Sequence, residues 1–202
     1  MHIDYDTGVK NTTISKLFGN FPTFSGNPNL QPESSNGWDI GVEQVLFDDR
    51  LSVDVTYFNN RISDQITGSN LTVTNSNGTN KIDGVEFTLA LTPIDKLDIN
   101  GAYTYTRSKD TNNLDLIRRP RHIGNLNLNY SFYRDKANIN LGINYNGQQE
   151  DTVFPPFPTP SFRTVLAAYT LVNLSGHYQL NKYISLNGRI ENLLDESYEE
   201  VF

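Results

Sequence analysis

The chain has 202 residues, a formal net charge of −7, no cysteine, and 37% hydrophobic, 11% aromatic and 19% charged residues. That excludes a disulfide scaffold or thiolate-ligated zinc, argues against nucleic acid as a partner, and is too aromatic for a disordered acidic tail. No apolar run approaches the roughly 18 to 20 residues of a membrane-spanning helix, and His2, Asp4 and Asp6 stand where a signal peptide carries basic and apolar residues, so a membrane β-barrel is the transmembrane class left open.

Period-two alternation of apolar and polar residues marks strands with one face of each kind. It predicts eight of them in chain order, at about 38–47, 51–58, 81–91, 97–107, 122–132, 138–147, 169–180 and 183–193. The first opens with Trp38, Ile40 and Val42 set against Asp39, Gly41 and Glu43. In the second, Leu51, Val53, Val55 and Tyr57 alternate with Ser52, Asp54 and Thr56. In the third, Val85, Phe87, Leu89 and Leu91 face away from Glu86, Thr88 and Ala90. The fourth runs from Leu97 and Ile99 to Tyr103 and Tyr105. The fifth and sixth put Asn at every second place, as in Asn125-Leu126-Asn127-Leu128-Asn129-Tyr130 and Asn138-Ile139-Asn140-Leu141-Gly142-Ile143-Asn144-Tyr145. The last two alternate Val172, Leu174 and Tyr178, then Ile184, Leu186 and Ile190, with polar residues. Asn is a poor strand former, so its regular placement points to a face that must be wet and mostly uncharged. Most of these strands approach the roughly 9 to 11 residues of a tilted membrane strand and exceed the usual five to six or so.

The connections alternate in length. Residues 47–50, 92–96, 133–136 and 181–182 are short turns, whereas 59–80, 108–121 and 148–168 are long. Outer-membrane barrels sort their loops this way, short on the periplasmic side and long outside. Tyr57, Phe58, Tyr103, Tyr105, Tyr130, Phe132, Tyr133, Tyr145, Tyr169, Tyr178 and Tyr183 lie near strand ends, where interfacial aromatic girdles belong. The expected fold is therefore all-β: an antiparallel up-and-down meander forming part of a transmembrane barrel.

Specific residues then resemble a family. Asn27-Pro28-Asn29-Leu30-Gln31-Pro32-Glu33 followed by Trp38-Asp39-Ile40-Gly41-Val42-Glu43 resembles a segment of TonB-dependent outer-membrane receptors. Tyr5-Asp6-Thr7-Gly8-Val9-Lys10 with Leu17-Phe18, Asp83-Gly84-Val85-Glu86, Arg118-Arg119-Pro120-Arg121-His122 and Asn192-Leu193-Leu194-Asp195-Glu196-Ser197-Tyr198 are similar to further motifs of that family, in order. The spacing is most like the vitamin B12 (cobalamin) receptor branch, and siderophore receptors share the motifs. The resemblance implies a 22-stranded barrel around a plug. Residues 1–202 are then the C-terminal part of that barrel as one domain, without plug or last strand, and residues 1–10 end a further strand. It also implies the outer membrane of a Gram-negative bacterium as location, with TonB and the plug as partners in the full-length protein. Outer-membrane lipid and lipopolysaccharide would surround the barrel, and the ligand would be a small-molecule chelate.

The apolar face of such a sheet meets lipid and the polar face the lumen. Leu126, Leu128, Tyr130, Ile139, Leu141, Ile143, Leu186 and Ile190 are expected on the outer face, and Asn127, Asn129, Asn140, Asn144, Asn187 and Arg189 on the inner one. Asp54, Glu86 and Glu191 join the inner set. Catalysis has no motif: the three histidines, His2, His122 and His177, form no HExxH, and neither GxSxG nor a phosphate-binding glycine loop occurs. No cofactor or metal is assigned, because Asp110 and Asp115 lack the ligand spacing of a calcium loop. The candidate ligand residues are in the long loops. Phe154, Phe157 and Phe162 could pack on a corrin or catechol plane, and Arg163, Arg118 and Arg119 could pair with an anionic group. Arg118 and Arg119, with Arg121, could instead pair with lipopolysaccharide or with loop acids, and the loop that carries Arg163 could merely cap the barrel against neighbouring loops or lipopolysaccharide. A passive porin-like channel and a soluble carbohydrate-binding β-sandwich are the alternative functions.

Overall fold

A computed structural model describes residues 1–68, 71–156 and 158–201. Its elements in chain order are β1 (His2–Lys10), α1 (Ile14–Phe18), β2 (Asn20–Phe21), β3 (Phe24–Ser25), β4 (Glu33–Leu46), β5 (Leu51–Ser63), β6 (Ile66–Gly68), β7 (Val73–Asn75), β8 (Thr79–Ile94), β9 (Leu97–Lys109), β10 (His122–Phe132), β11 (Ala137–Asn146), β12 (Gln149–Val153), β13 (Phe162–Leu166), β14 (Tyr169–Gln179) and β15 (Ser185–Ile190). Nine of the strands form one sheet in the order β1-β4-β5-β8-β9-β10-β11-β14-β15. Every neighbouring pair is antiparallel, so the sheet is a meander with no Greek-key crossing. The other strands pair into three small hairpins, β2–β3, β6–β7 and β12–β13, all within the long connections.

Register carries one face across the whole sheet. Tyr5 faces Trp38 and Ile3 faces Ile40. Val42 faces Val55, Val55 faces Phe87 and Phe87 faces Tyr103. Leu128 lies between Ile99 and Leu141, Leu141 faces Leu174, and Leu174 faces Ile190. The opposite face holds Asp4 with Asp39, Glu43 with Asp54, Thr56 with Glu86, Asn127 with Asn100, Asn129 with Asn140, and His177 with Asn187. All the residues expected to share the apolar face do so, as do those expected opposite it, except that Glu191 follows the last strand and lies outside the ladder.

The apolar face covers nothing within the chain. Only Leu30, Val73, Ala137 and Leu166 are buried apolar side chains among the described residues, while Trp38, Val42, Val55, Phe87, Tyr103 and Tyr130 are exposed. In water such a surface would demand a cover. It is instead the outer surface of a wall whose solvent is hydrocarbon.

Two of the aromatic residues expected in the girdles lie on the polar face instead. Phe58 pairs with Asp39 and Gly84 on the polar face, and Tyr169 pairs with Asn146 on that face. Parity decides this: each is displaced by one residue from the outward set, and a one-residue step reverses the side. On the outward face, Trp38 packs against Tyr57 at 5.4 Å, and Tyr105 against His122 at 5.2 Å. At the other end, Tyr130 stacks on Phe132 at 5.6 Å.

Strand limits also shift. β4, β5 and β8 run past the predicted limits, from Glu33, to Ser63 and from Thr79. The last strand is shorter than the predicted 183–193, spanning Ser185–Ile190. There the Asn181 carboxamide oxygen captures the backbone N–H groups of Tyr183 and Ile184 in a turn, so they are not available to a ladder. The short turns at 47–50 and 133–136 are built alike. Phe47, Asp48 and Asp49, and likewise Tyr133, Arg134 and Asp135, are consecutive left-handed residues. Each turn is closed by a 3.2 Å bond, from Arg50 N to Phe47 O and from Lys136 N to Tyr133 O.

Candidate functional site

The long-loop end of the sheet carries the candidate ligand residues, and ion pairs organise it. The 110–121 loop begins as an Asx-type turn: the Asp110 carboxylate accepts from the N–H groups of Asn112 and Leu114. Asp115 then meets two cations, Lys109 at 3.0 Å and Arg121 at 2.8 Å. Burial alone would raise its carboxyl, but the Lys109 and Arg121 charges outweigh that and hold it below its ordinary 3.8. Asp110 and Asp115 are thus committed to a turn and to cations, and no cluster fit for a metal occurs among the described residues.

The β12–β13 hairpin is fastened to this loop. Arg118 has a left-handed backbone, φ 57°. Its N–H donates to the Glu150 carbonyl at 2.7 Å, and its Nε to Asp151 Oδ1 at 2.9 Å. Asp151 is fully buried, whereas the Arg118 side chain is about half exposed. Arg163 donates to Glu150 at 2.7 Å and to the Asp115 carbonyl at 2.7 Å. Arg118 and Arg121 are therefore held by loop acids, as one of their sequence readings allowed, and Arg163 is held in the same way. Arg119 is exposed, with no hydrogen bond or ion pair among the described residues. Phe162 pairs with Val153, beside Phe154. Phe154 is 76% and Phe162 54% exposed, so both rings are available. Phe157 lies outside the described residues. Asp115 was considered from sequence only as a metal ligand, and Glu150 and Asp151 escaped the sequence reading, because nothing in their local pattern gives a long-range partner.

The family-like motif residues turn out to fasten structure. Asn27, Pro28, Asn29 and Leu30 form a β-turn, closed by Leu30 N to Asn27 O at 3.3 Å, with Pro28 at the position that favours it. Asn27 also donates to the Val73 carbonyl. Gln31 N donates to the Asn75 carboxamide oxygen, and Asn75 donates back to the Gln31 carbonyl. Pro32 leads into Glu33, whose buried carboxylate accepts from Lys10 and from Ile66 N. These bonds dock β7 and β6 against the approach to β4. Gly84 leaves room for a ring: a β-carbon there would stand 2.6 Å from Phe58. Glu86 is on the polar face opposite Thr56. Pro120 leads into the ladder, where Arg121 O accepts from Thr106 N. Asn192 brackets its own turn, donating to the Glu196 carbonyl and accepting from Glu196 N. Asp195 is left-handed within it. Leu193 N extends the ladder to Val172 O, and Tyr198 stacks on Tyr169 at 4.4 Å.

The polar face changes character across the sheet. Around β1, β4, β5 and β8 it is acidic, through Asp4, Asp39, Glu43, Asp54 and Glu86. Around β10 and β11 it is an amide lattice. Asn127 and Asn140 exchange bonds of 3.4 and 2.8 Å, and Asn138 donates to Asn129 and Ser131. Such a face offers hydrogen bonds to a polar partner or to water.

Comparison with known proteins agrees with this architecture. Residues 3–193 match the family model described as TonB dependent receptor-like, beta-barrel. The chain is 30% identical over 199 residues to a vitamin B12 transporter of Vibrio vulnificus, covering 96% of this chain and 30% of that protein. Among solved structures it resembles a Pseudomonas aeruginosa receptor bound to heterologous pyoverdines, with a TM-score of 0.80, 18% identity, and 98% of this chain against 27% of that one. It also resembles a ferric-catecholate import receptor of E. coli K12, with a TM-score of 0.74, 20% identity, and 98% of this chain against 29% of that one. At those identities the structural likeness concerns the fold. The chain thus spans about a third of the length of the relatives it matches.

Proposed function

The chain belongs to the TonB-dependent receptor β-barrel family, and from that premise we propose that it forms wall and outer loops of a receptor that imports a scarce small-molecule chelate. The observation that carries this reading is the unbroken division of nine strands into one apolar and one polar face. The family is one of outer-membrane receptors, so the apolar face meets lipid, including lipopolysaccharide in the outer leaflet. The dimensions agree. From His122 to Tyr130 and Phe132, β10 covers about 26 to 33 Å along the strand, or roughly 19 to 23 Å in height at a 45° tilt. The apolar band of such barrels is about 25 Å tall.

In this reading residues 1–202 are a barrel portion. The plug and the segment that contacts TonB are contributed by further sequence, and the acidic and amide areas of the inner face pack against the plug or its water. Cobalamin is the first ligand, supported by the similarity to a vitamin B12 transporter over nearly the whole chain. An iron siderophore is the second. Phe154, Phe157, Phe162 and Arg119 are the side chains proposed to touch it, with Arg118 and Arg163 holding the loop that presents them. The proposed role is reception, in keeping with a family of receptors; His122 bonds to Tyr103 and His177 to Asn187 across neighbouring strands.

The test is uptake. The complete gene containing this segment is expressed in cells lacking their own cobalamin and siderophore receptors. Uptake of labelled cobalamin and of labelled ferric siderophore is measured with and without a protonophore. Saturable uptake of one ligand, abolished by the protonophore, is expected. Protonophore-insensitive, non-saturable entry would replace the receptor with a passive channel.

A further inference from the structure

We propose that a row of cations on the lipid-facing side of β5, β8 and β9 binds the phosphate-bearing headgroup of an outer-leaflet lipid, lipopolysaccharide. Arg61 is directly opposite Lys81, and Lys81 directly opposite Lys109. Parity puts all three on the apolar side, because Tyr57, Val85 and Tyr105 form the outward row exactly four residues nearer the middle of the sheet. Arg107 joins them on that side, opposite Asp83.

Like charges directly opposite each other destabilise a strand pair, so a triple row needs a counter-charge. The chain supplies two acids against these cations and Arg121: Asp83, opposite Arg107, and Asp115. Arg61 donates only to the neutral Asn59 carboxamide. Lys109 shares Asp115 with Arg121. The Lys81 and Arg107 side chains make no ion pair or hydrogen bond among the described residues. The cations are also sorted by face: the intervening polar-side positions hold Ile62, Asn80 and Ser108, and Asn80 and Ser108 are buried. A generally basic rim would not sort in this way.

Depth identifies the occupant. Four residues are about 13 Å of strand, or roughly 9 Å of height at a 45° tilt. Aromatic rows mark the edge of the hydrocarbon, and the polar headgroup layer on each side is about 5 to 8 Å thick. The cations are therefore at headgroup depth or just above, within reach of flexible side chains that bend toward phosphate. Arg61 and Arg107 bring planar forks that match phosphate oxygens, and the lysines bring point charges.

This proposal rests on the outer-membrane reading, and its experiment keeps the two apart. Full-length receptor is first located by membrane fractionation and heat-modifiable migration; absence of the wild type from the outer membrane would refute the location itself. Binding of purified lipopolysaccharide to the detergent-extracted receptor is then measured by native mass spectrometry. The wild type is compared with Arg61→Gln/Lys81→Gln and with Arg134→Gln/Lys136→Gln in a short turn at the far end. Removing two interfacial cations is expected to weaken binding roughly thirtyfold, with the far-end variant unchanged. Wild-type receptor should bind dephosphorylated lipopolysaccharide poorly, and millimolar inorganic phosphate should not displace the intact lipid. Equal binding of the dephosphorylated lipid, or no loss in a folded Arg61→Gln/Lys81→Gln variant, overturns the proposal. Displacement by inorganic phosphate would reassign the row to free phosphate. The dephosphorylated-lipid arm needs no variant and so decides the matter even if the substitutions misfold.

Discussion

Arg118 Nε donates to Asp151 Oδ1 at 2.9 Å, and the Asp151 side chain has no exposed surface. The same residue also donates its backbone N–H to Glu150. Two long-loop segments, remote in sequence, are thereby clamped at one left-handed residue. The clamp holds the hairpin whose tip carries Phe154, so the rings proposed to meet a ligand stand on a fixed base.

Arg118→Gln should free that hairpin. Breaking a buried ion pair from one side costs about 3 to 5 kcal/mol, and the half exposure of Arg118 puts this one near about 3. Because opening is local, cleavage between residues 153 and 162 by a trace protease should accelerate on the order of a hundredfold, with the barrel strands untouched. Arg118→Lys should fall between, keeping the charge and losing the planar fork. Cleavage at the wild-type rate in Arg118→Gln would mean that the clamp holds nothing.

Acid should loosen the 110–121 loop, and only strong acid. Burial opposes ionisation of Asp115, but Lys109 and Arg121 prevail and depress its carboxyl below 3.8. A group depressed on folding contributes stability that is fully present above the unfolded value and is lost as pH falls through the lower, folded one. A spin label at Asn113 should therefore keep constant mobility from pH 8 down to about 4.5 and loosen below pH 3.8. Asp115→Asn should be mobile throughout. Loosening between pH 5 and 7 would assign the control to another group.

The strands were legible because the lipid-facing side chains repeat every second residue, and the faces of Leu128 and Asn127 followed directly. Strand ends were not. The hydrophobic alternation stops where hydrocarbon stops, near Tyr57 and Val85, whereas the backbone ladder continues through Arg61 and Lys81 to Ser63 and Thr79. Pattern therefore reports slab thickness rather than strand length. Phe58 and Tyr169 were misplaced because aromatic character says nothing about parity. At the candidate site, Arg118 and Arg163 were visible as cations. Their partners Asp151 and Glu150 were not, since pairing across 33 and 13 residues depends on how the loops fold back. The Arg61–Lys81–Lys109 row was equally hidden, because it exists only once register is known.

Gly84 and Phe58 form a second testable pair. A β-carbon at Gly84 would meet the Phe58 ring at 2.6 Å and would also crowd the Tyr105 carbonyl. Gly84→Ala should destabilise the barrel by about 1 to 3 kcal/mol, the usual cost of overpacking. Phe58→Ala should relieve only part of this, because the carbonyl belongs to the neighbouring backbone and cannot turn away. A double-mutant cycle, read from urea unfolding in detergent, should thus show coupling smaller than the whole Gly84→Ala effect. Full rescue by Phe58→Ala would make the ring the sole reason for glycine.

The two faces can be separated by one substitution carried between adjacent residues. Leu128 lies between Ile99 and Leu141 on the outward side, midway along β10. Asn127, the next residue, exchanges two hydrogen bonds with Asn140 on the other side. Leu128→Arg places a cation near the bilayer midplane, at roughly 2 to 4 kcal/mol. Asn127→Arg loses amide bonds worth about 1 kcal/mol each, and its charge remains in the wet lumen near Asn100 and Asn125. In full-length receptor, Leu128→Arg should sharply lower the heat-modifiable, outer-membrane-resident fraction, whereas Asn127→Arg should accumulate close to the wild type. Strand propensity cannot produce this asymmetry, since both variants put Arg into the same strand. Nor can loss of packing inside the chain, since Leu128 covers no core. Only a difference in the solvent on the two sides accounts for it. The reverse ranking would require the Asn face to meet lipid, and the barrel reading of this sheet would then fail.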